Sequence, residues 1–290
     1  TGRRSGLKPR GPPGGVQVRS LSRAPVVVRA SPCDEDGEMA SDRDHPSELR
    51  YEYPYPAPDL ESRYPFVVLE PRRFPAHEMA DRARAFHQVA EARRSVRVFS
   101  PEPVPRELIE LAVLAASTAP SGANKQPWTF VAVRDPDLKA RIRQAAEAEE
   151  RINYLENRMN AEWLEALAPL GTDHHKEFLE VAPWIVVLFE QRYEIRPDGT
   201  TRRNYYVKES VGIAAGLFIA ALNEMGLATL PHTPSPMAFL RTVLGRPENE
   251  RPFVMFPVGH PMDGVKVPDL RRKPLEEVFV EPDGQLDGAG

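Results

Sequence analysis

An α+β fold, a central sheet flanked by helices, is what this sequence predicts. Two observations carry that expectation. The runs 129–133, 184–189 and 253–259 are apolar, of strand length and bounded by polar or turn residues, so each reads as a buried strand. Around them lie amphipathic runs of helical length, and the two kinds of segment mix without a regular strand–helix–strand repeat. A chain of 290 residues, 41% of them apolar, has material for one large or two small domains.

Taken in order, residues 1–47 are poor folding material. Gly, Pro, Arg, Ser and Asp dominate, and disorder is expected. The chain does not begin with Met, and Met39 reads as a true start. Residues 48–76 form a Pro/Tyr-rich stretch expected to run as an extended arm over a neighbouring surface. A globular domain is expected over 77–290. It opens with helices at 77–92 and 105–116, the second with Pro at its start. The strand at 129–133 is ended by Arg-Asp-Pro-Asp, and a charged helix at 137–150 follows. Residues 151–170 are helical in composition but polar, with Tyr154 and Trp163 exposed to a partner. After the strand at 184–189, residues 205–225 are the most apolar helix. Its Gly and Ala residues would let another backbone approach. A short strand at 227–230, a short helix at 239–244, the strand at 253–259 and a terminal strand at 275–280 complete the domain.

Composition also excludes. A net charge of −4 gives no bulk attraction to nucleic acid or anionic membrane. The single cysteine, Cys33, rules out an intrachain disulfide and a Cys-based metal cluster. No apolar run is long enough to cross a bilayer, and the basic N-terminus lacks an apolar signal core, so a cytoplasmic location is the default. His174 and His175 are adjacent, and neighbours on a helix point apart. No metal is expected.

Against that acidic background the basic segments stand out. Arg93, Arg94 and Arg97 fall within five residues, and Arg271-Arg272 follows near the C-terminus. Arg offers a planar donor fork that matches phosphate oxygens. One such run is as well explained as a helix end whose cations complement the macrodipole. Two runs beside the Ser121-Gly122 turn suggest a pocket for a phosphorylated cofactor.

Arg-Arg-Ser-Val-Arg at 93–97, Ala-Pro-Ser-Gly-Ala-Asn at 119–124, Gln-Pro-Trp-Thr-Phe at 126–130 and Pro-Val-Gly-His-Pro at 257–261 together resemble the nitroreductase-like flavoproteins. Ile152-Asn153-Tyr154, Leu-Gly-Arg-Pro at 244–247 and Val-Pro-Asp-Leu-Arg-Arg-Lys at 267–273 are similar to its iodotyrosine deiodinase branch. Each motif alone is weak; their shared order across most of the chain is specific.

The resemblance implies a mixed central sheet in a domain-swapped homodimer that binds FMN at the subunit interface. It implies that Arg93, Arg94, Ser95, Val96, Arg97, Pro120, Ser121 and Arg272 hold the flavin. Pro231, His232 and Thr233 fall at the loop beside flavin N5, where the Thr233 hydroxyl favours one-electron steps. Pro231 and His232 stand where better-known relatives carry hydroxyl-bearing residues. A lid at about 150–180 would clamp an amino-acid zwitterion through Glu150, Tyr154 and Lys176, and the Ala123 backbone N–H would face the substrate phenol oxygen. The stretch between Tyr154 and Lys176 is longer than the family pattern, which bears on the register of Lys176. The bland alternatives are a solvated glutamate, a packing aromatic and a Lys176–Glu180 helix pair. The activity implied is reductive removal of halide from a halogenated tyrosine, with NAD(P)H or a reductase partner as electron source. A broad nitroreductase or quinone reductase and a non-catalytic flavin or amino-acid binding protein are the rivals.

Overall fold

The computed structural model describes residues 56–156 and 158–282. The expectations of a disordered 1–47 and of a start at Met39 lie outside those residues. The chain divides into two compact units at Pro71/Arg72. In the first unit one short helix, α1 (Pro58–Arg63), interrupts the expected extended arm, with Pro at its start and Asp59 and Glu61 in its first turn.

The second unit carries every other element among the described residues. Helices α2 (Ala76–Ala92) and α3 (Arg106–Ala116) come first, then strand β1 (Trp128–Val133). Helix α4 (Pro136–Leu155) starts where sequence signals say it must. Asp135 accepts a hydrogen bond from the Leu138 N–H at 2.8 Å, and Pro136 occupies the first turn. Next come α5 (Ala161–Leu167), α6 (Phe178–Val181), β2 (Trp184–Gln191), a hairpin of β3 (Tyr193–Ile195) and β4 (Thr201–Arg203), and α7 (Val207–Glu224). Strand β5 (Ala228–Thr229), α8 (Phe239–Val243) and β6 (Glu250–Gly259) close the unit.

The main sheet has the order β1-β2-β6-β5. Its strands pair antiparallel, and a parallel bridge between Ser95 and Thr229 adds the mixed character. Both faces are covered, which is why β2 reads as a continuous apolar run rather than an alternating one. Trp184, Val186 and Leu188 point toward α3 and α7, among Ala112, Phe218 and Leu222. Ile185, Val187 and Phe189 point to the other face, among Ile142 of α4, Leu179 of α6 and Leu240 of α8. Gly259 ends β6 where a Cβ would sit 2.6 Å from Pro183 Cδ, so this close approach requires glycine.

Three expectations change. The polar stretch 151–170 is not one helix: α4 ends at Leu155 and α5 begins after the cap of Asn160, which accepts from the Trp163 N–H at 2.8 Å. The expected terminal strand at 275–280 is a 3-10 turn at Leu275–Glu277, and no sheet edge among the described residues pairs with it. The small residues of α7 divide: Ala214 and Ala215 pack on the sheet, whereas a Cβ at Gly212 or Gly216 would meet nothing within 4 Å. Among the described residues no helix is long and apolar enough to cross a membrane.

Candidate active site

The C-terminal half of α4, the loop before α6 and the loop after β5 enclose a cavity of about 530 Å³. Arg97, Glu150, Tyr154, Lys176, His232 and Thr233 all line it, as does Pro231. Residues that lie far apart in sequence thus share one concave site, of a size suited to a small aromatic ligand.

Glu150 and Tyr154 sit one helical turn apart and project from the same face of α4. Opposite them stands Lys176. Lys176 and Glu150 are 2% and 6% exposed, and Lys176 Nζ lies 3.8 Å from Glu150 Oε2. Glu180, the alternative partner for Lys176, instead faces Arg143 at 3.5 Å. Lys176 Nζ also donates to the Asp173 carbonyl and to Thr172 Oγ1, and stands 5.5 Å from the Tyr154 ring centroid. The long connection from Tyr154 therefore still delivers Lys176 to Glu150. The pair is close but not hydrogen-bonded, and burial dominates both partners. It pushes the Glu150 carboxyl up and the Lys176 ammonium down, each shift opposed by the other's charge. Two buried charges in incomplete contact are a poor resting arrangement. A ligand bringing one charge of each sign would complete both.

Tyr154 is half-buried rather than exposed to a partner, and burial raises its phenol pKa, opposed first by a hydrogen bond with Thr172. Trp163 is the exposed aromatic, at 59%. His232 is 9% exposed and packs edge-on against Phe178, ring centroids 5.5 Å apart. Its backbone is fixed by two hydrogen bonds with Met255, at 2.8 and 2.9 Å. Among the described residues its Nε2 has no hydrogen-bond partner. Burial, then the charges of Lys176 and Arg97, lower its pKa to about 3, so the imidazole is neutral. Thr233 follows on the exposed rim. The next turn is tied to the lid helix: Asn153 Nδ2 donates to the Ser235 carbonyl at 2.8 Å.

The basic residues divide into two groups. Ser95 and Val96 run beside β5, with the Val96 N–H donating to the Thr229 carbonyl at 3.3 Å. Val96 itself is buried in the core, so its side chain is not at the cavity. Arg97 enters the cavity, half-buried, and burial lowers its pKa. Arg93 caps the C-terminus of α2. Arg272 donates to the Arg93 carbonyl at 3.0 Å and to Glu91, at 3.1 Å to its carbonyl and 2.8 Å to Oε1. Arg272 thus satisfies helix-end carbonyls, the structural role open to any basic residue there. It also brings two guanidiniums together across most of the sequence. The Arg93 pKa is lowered first by burial and then by Arg272 and Arg94.

The Pro120–Ala123 turn does not reach this cavity. Pro120 and Ala123 are exposed, and Ser121 Oγ accepts from the Gln126 N–H at 2.9 Å. Ala123 has a left-handed backbone, φ 50 and ψ 32. The turn lies against the start of α7: a Cβ on Gly122 would meet the Tyr205 carbonyl at 2.8 Å.

Sequence reasoning assigned no role to Asn153, Thr172 or Phe178, though all line the cavity. Asn153 had a signal, since it stands within the Ile-Asn-Tyr motif and a buried amide needs a partner. The adjacent histidines also differ from expectation. Residues 172–176 form an irregular loop, not a helix, and the His174 and His175 rings lie 4.0 Å apart.

The residues fit an FMN. The charges of Arg272 and Arg94 both bear on Arg93, a cluster that suits a phosphate, and His232 Nε2, without a hydrogen-bond partner among the described residues, lies in the wall of a cavity that also carries Arg97 and Lys176.

Comparison with known proteins points the same way. The nitroreductase family model matches residues 90–260. An iodotyrosine deiodinase of Haliscomenobacter hydrossis is 54% identical over 215 residues, covering 74% of this chain and 96% of that protein. A solved structure of oxidised iodotyrosine deiodinase bound to FMN and 3-iodo-L-tyrosine superposes with a TM-score of 0.57 at 32% identity, over 65% of this chain and 96% of that one. The FMN-dependent nitroreductase NfnB of Mycobacterium smegmatis, in complex with NADPH, superposes with a TM-score of 0.52 at 26% identity, over 70% and 100% of the two chains. With the family's motifs in order and its fold in place, the chain belongs to the nitroreductase family, in its iodotyrosine deiodinase branch.

Proposed function

We propose that this protein is an FMN-dependent reductive dehalogenase acting on a halogenated tyrosine. One observation carries the reading: Glu150, Tyr154 and Lys176 face one another in a cavity whose other wall is Arg97 and the 231–233 loop. A generic nitroreductase has no need of a buried carboxylate and a buried ammonium aimed at one ligand.

Glu150 takes the substrate's α-ammonium, and Lys176 with the Tyr154 hydroxyl takes its α-carboxylate. Substrate replaces the imperfect Glu150–Lys176 contact with two full ones. Each charge-assisted hydrogen bond contributes about 1.5–3 kcal/mol. Filling the cavity draws α4 and the loop before α6 together and excludes water, which strengthens each charged contact. Arg93, Arg94 and Ser95, with Arg272, are assigned the flavin phosphate, and Arg97 and Thr233 its ring. When bound, FMN supplies the electrons that cleave the carbon–halogen bond, and NAD(P)H, directly or through a reductase, replenishes them.

Pro120, Ser121 and Ala123 are assigned to the site of a second subunit. Their turn lies away from the cavity of their own chain, and the outer faces of α3 and α7 expose Leu111, Leu114, Ile213 and Leu217. An apolar face of this kind supports a homodimer.

The deciding experiment is anaerobic. Bound flavin is reduced with dithionite, iodotyrosine is added, and flavin reoxidation and iodide are followed. Reoxidation with stoichiometric iodide is expected. Turnover of nitroaromatics without iodide, or halotyrosine binding without halide release, would replace this reading with one of its rivals.

A further inference from the structure

Positions 139, 143, 147, 150 and 154 of α4 fall three or four residues apart and so share one face of the helix. Glu150 and Tyr154, at its C-terminal end, line the cavity. Lys139, Arg143 and Glu147 precede them on the same face and carry charge that the proposed chemistry leaves without a task.

All three grip the segment that carries Lys176. At its start, the Lys176 backbone N–H donates to Glu147 Oε1 at 2.7 Å. At its end, Lys139, 7% exposed, donates from Nζ to the Glu180 carbonyl at 2.7 Å and the Ala182 carbonyl at 2.8 Å. These are carbonyls at the end of α6, which the helix itself leaves open. Between the two, Arg143 Nε donates to the same Glu147 oxygen at 2.8 Å, and its guanidinium faces Glu177 at 3.7 Å and Glu180 at 3.5 Å. The segment 176–182 is thus fastened along α4 at both ends.

An Arg143–Glu147 pair one turn apart on a helix surface is ordinary, and weak by itself. A carboxylate oxygen that also takes a backbone N–H from another part of the chain goes beyond that pattern. Burial pushes the Glu147 carboxyl up, but the bonds from Arg143 and from the Lys176 N–H outweigh it and hold the pKa below its ordinary value. Residues 172–176 have no regular structure of their own to fix the Lys176 side chain. The bond to Glu147 ties that loop down at the residue whose ammonium lies 3.8 Å from Glu150.

We propose that Glu147 is a positioning residue for substrate: by accepting the Lys176 backbone N–H, with Arg143 holding its carboxylate in place, it sets the Lys176 ammonium where an amino-acid carboxylate meets it. The inference rests on the reading of Glu150, Tyr154 and Lys176 as a zwitterion clamp. Its consequence is selective. Glu147 matters to a ligand that carries the zwitterion and not to one that carries the halogenated ring alone.

The test titrates FMN-loaded protein with iodotyrosine and with 2-iodophenol, the same ring without the zwitterion, and reads binding from flavin absorbance and fluorescence. Glu147→Ala should weaken iodotyrosine binding at least about fivefold and leave 2-iodophenol binding unchanged. Glu147→Gln, which keeps an acceptor of the same reach, should restore most of that loss. In the Lys176→Ala background Glu147→Ala should cost less than about twofold, because a positioning residue acts through the side chain it positions. Flavin content, and dithionite-driven iodide release at saturating iodotyrosine, should match wild type. Should the alanine variant not fold, Glu147→Asp keeps the charge but shortens the reach, and the same losses are expected of it. Unchanged iodotyrosine affinity in Glu147→Ala overturns the proposal. Equal losses for the two ligands overturn it as well, by making Glu147 a general support of the fold. So does an undiminished loss in the Lys176→Ala background, or a glutamine variant as weak as alanine, which would leave the charge and not the bond at work. Normal iodotyrosine affinity in Lys176→Ala alone would instead remove the clamp reading, whatever Glu147 does.

Discussion

Acid should unfold this protein through His232. The imidazole is 9% exposed, beside Lys176 and Arg97, and its pKa is held at about 3 against an ordinary 6.5. The sign follows from which state binds the proton. Below pH 6.5 the unfolded chain protonates His232 and the folded chain does not. The contribution is therefore fully present above 6.5 and is lost as pH falls toward 3. One proton of difference costs about 1.4 kcal/mol per pH unit, and about 5 kcal/mol over the whole window. That is comparable to the total stability of a small domain. Urea unfolding between about pH 7 and pH 4.5 measures the slope directly, with and without bound flavin. Replacing the imidazole by an uncharged group in His232→Phe, or in His232→Gln should the larger ring not fit, removes that titration while leaving every other one in place. Wild type should lose roughly one proton's worth of slope more than either variant. Equal slopes in wild type and variants would refute the burial argument.

Arg93→Ala and Arg272→Ala should each yield protein depleted of FMN, read from the visible absorbance of the purified protein. Full flavin content in both would remove the phosphate assignment. Glu150→Gln and Lys176→Ala should each weaken iodotyrosine binding at least about tenfold while leaving flavin content unchanged, since each removes a charged contact of about 1.5–3 kcal/mol. Normal affinity in both would dissolve the clamp. Glu250→Ala strands Arg246 and Thr129 and should lower unfolding free energy by about 2–3 kcal/mol; the Arg246 end reaches solvent, which discounts the fully buried figure. An unchanged urea midpoint would contradict the network drawn from those distances.

Local chemistry was legible in the sequence. The strands at 184–189 and 253–259 announced themselves because a strand buried on both faces must be apolar throughout, and Asp135-Pro136 marked the start of α4 because a cap and a fixed φ are local properties. The spacing of Glu150 and Tyr154 already placed them on one helix face. The break at 155–160 was not legible, because a polar stretch with helical composition forms a helix or a loop according to what it packs against. Nor was the 275–280 segment, where β-rich composition found no edge to pair with.

What the sequence determined by itself is the family, the order of the main strands and long helices, and the residue types available for a site. Which charges meet is a property of the tertiary structure alone. Lys176 lies nearer in sequence to Glu180 than to Glu150, yet it faces Glu150, because α6 and the loop before it fold back onto α4. Arg272 reaches Arg93 across most of the chain, while the Pro120–Ser121 turn, much closer in sequence, stays away from the cavity. Distance along the chain sets the entropy of bringing groups together, but the buried faces of a sheet decide which groups are brought.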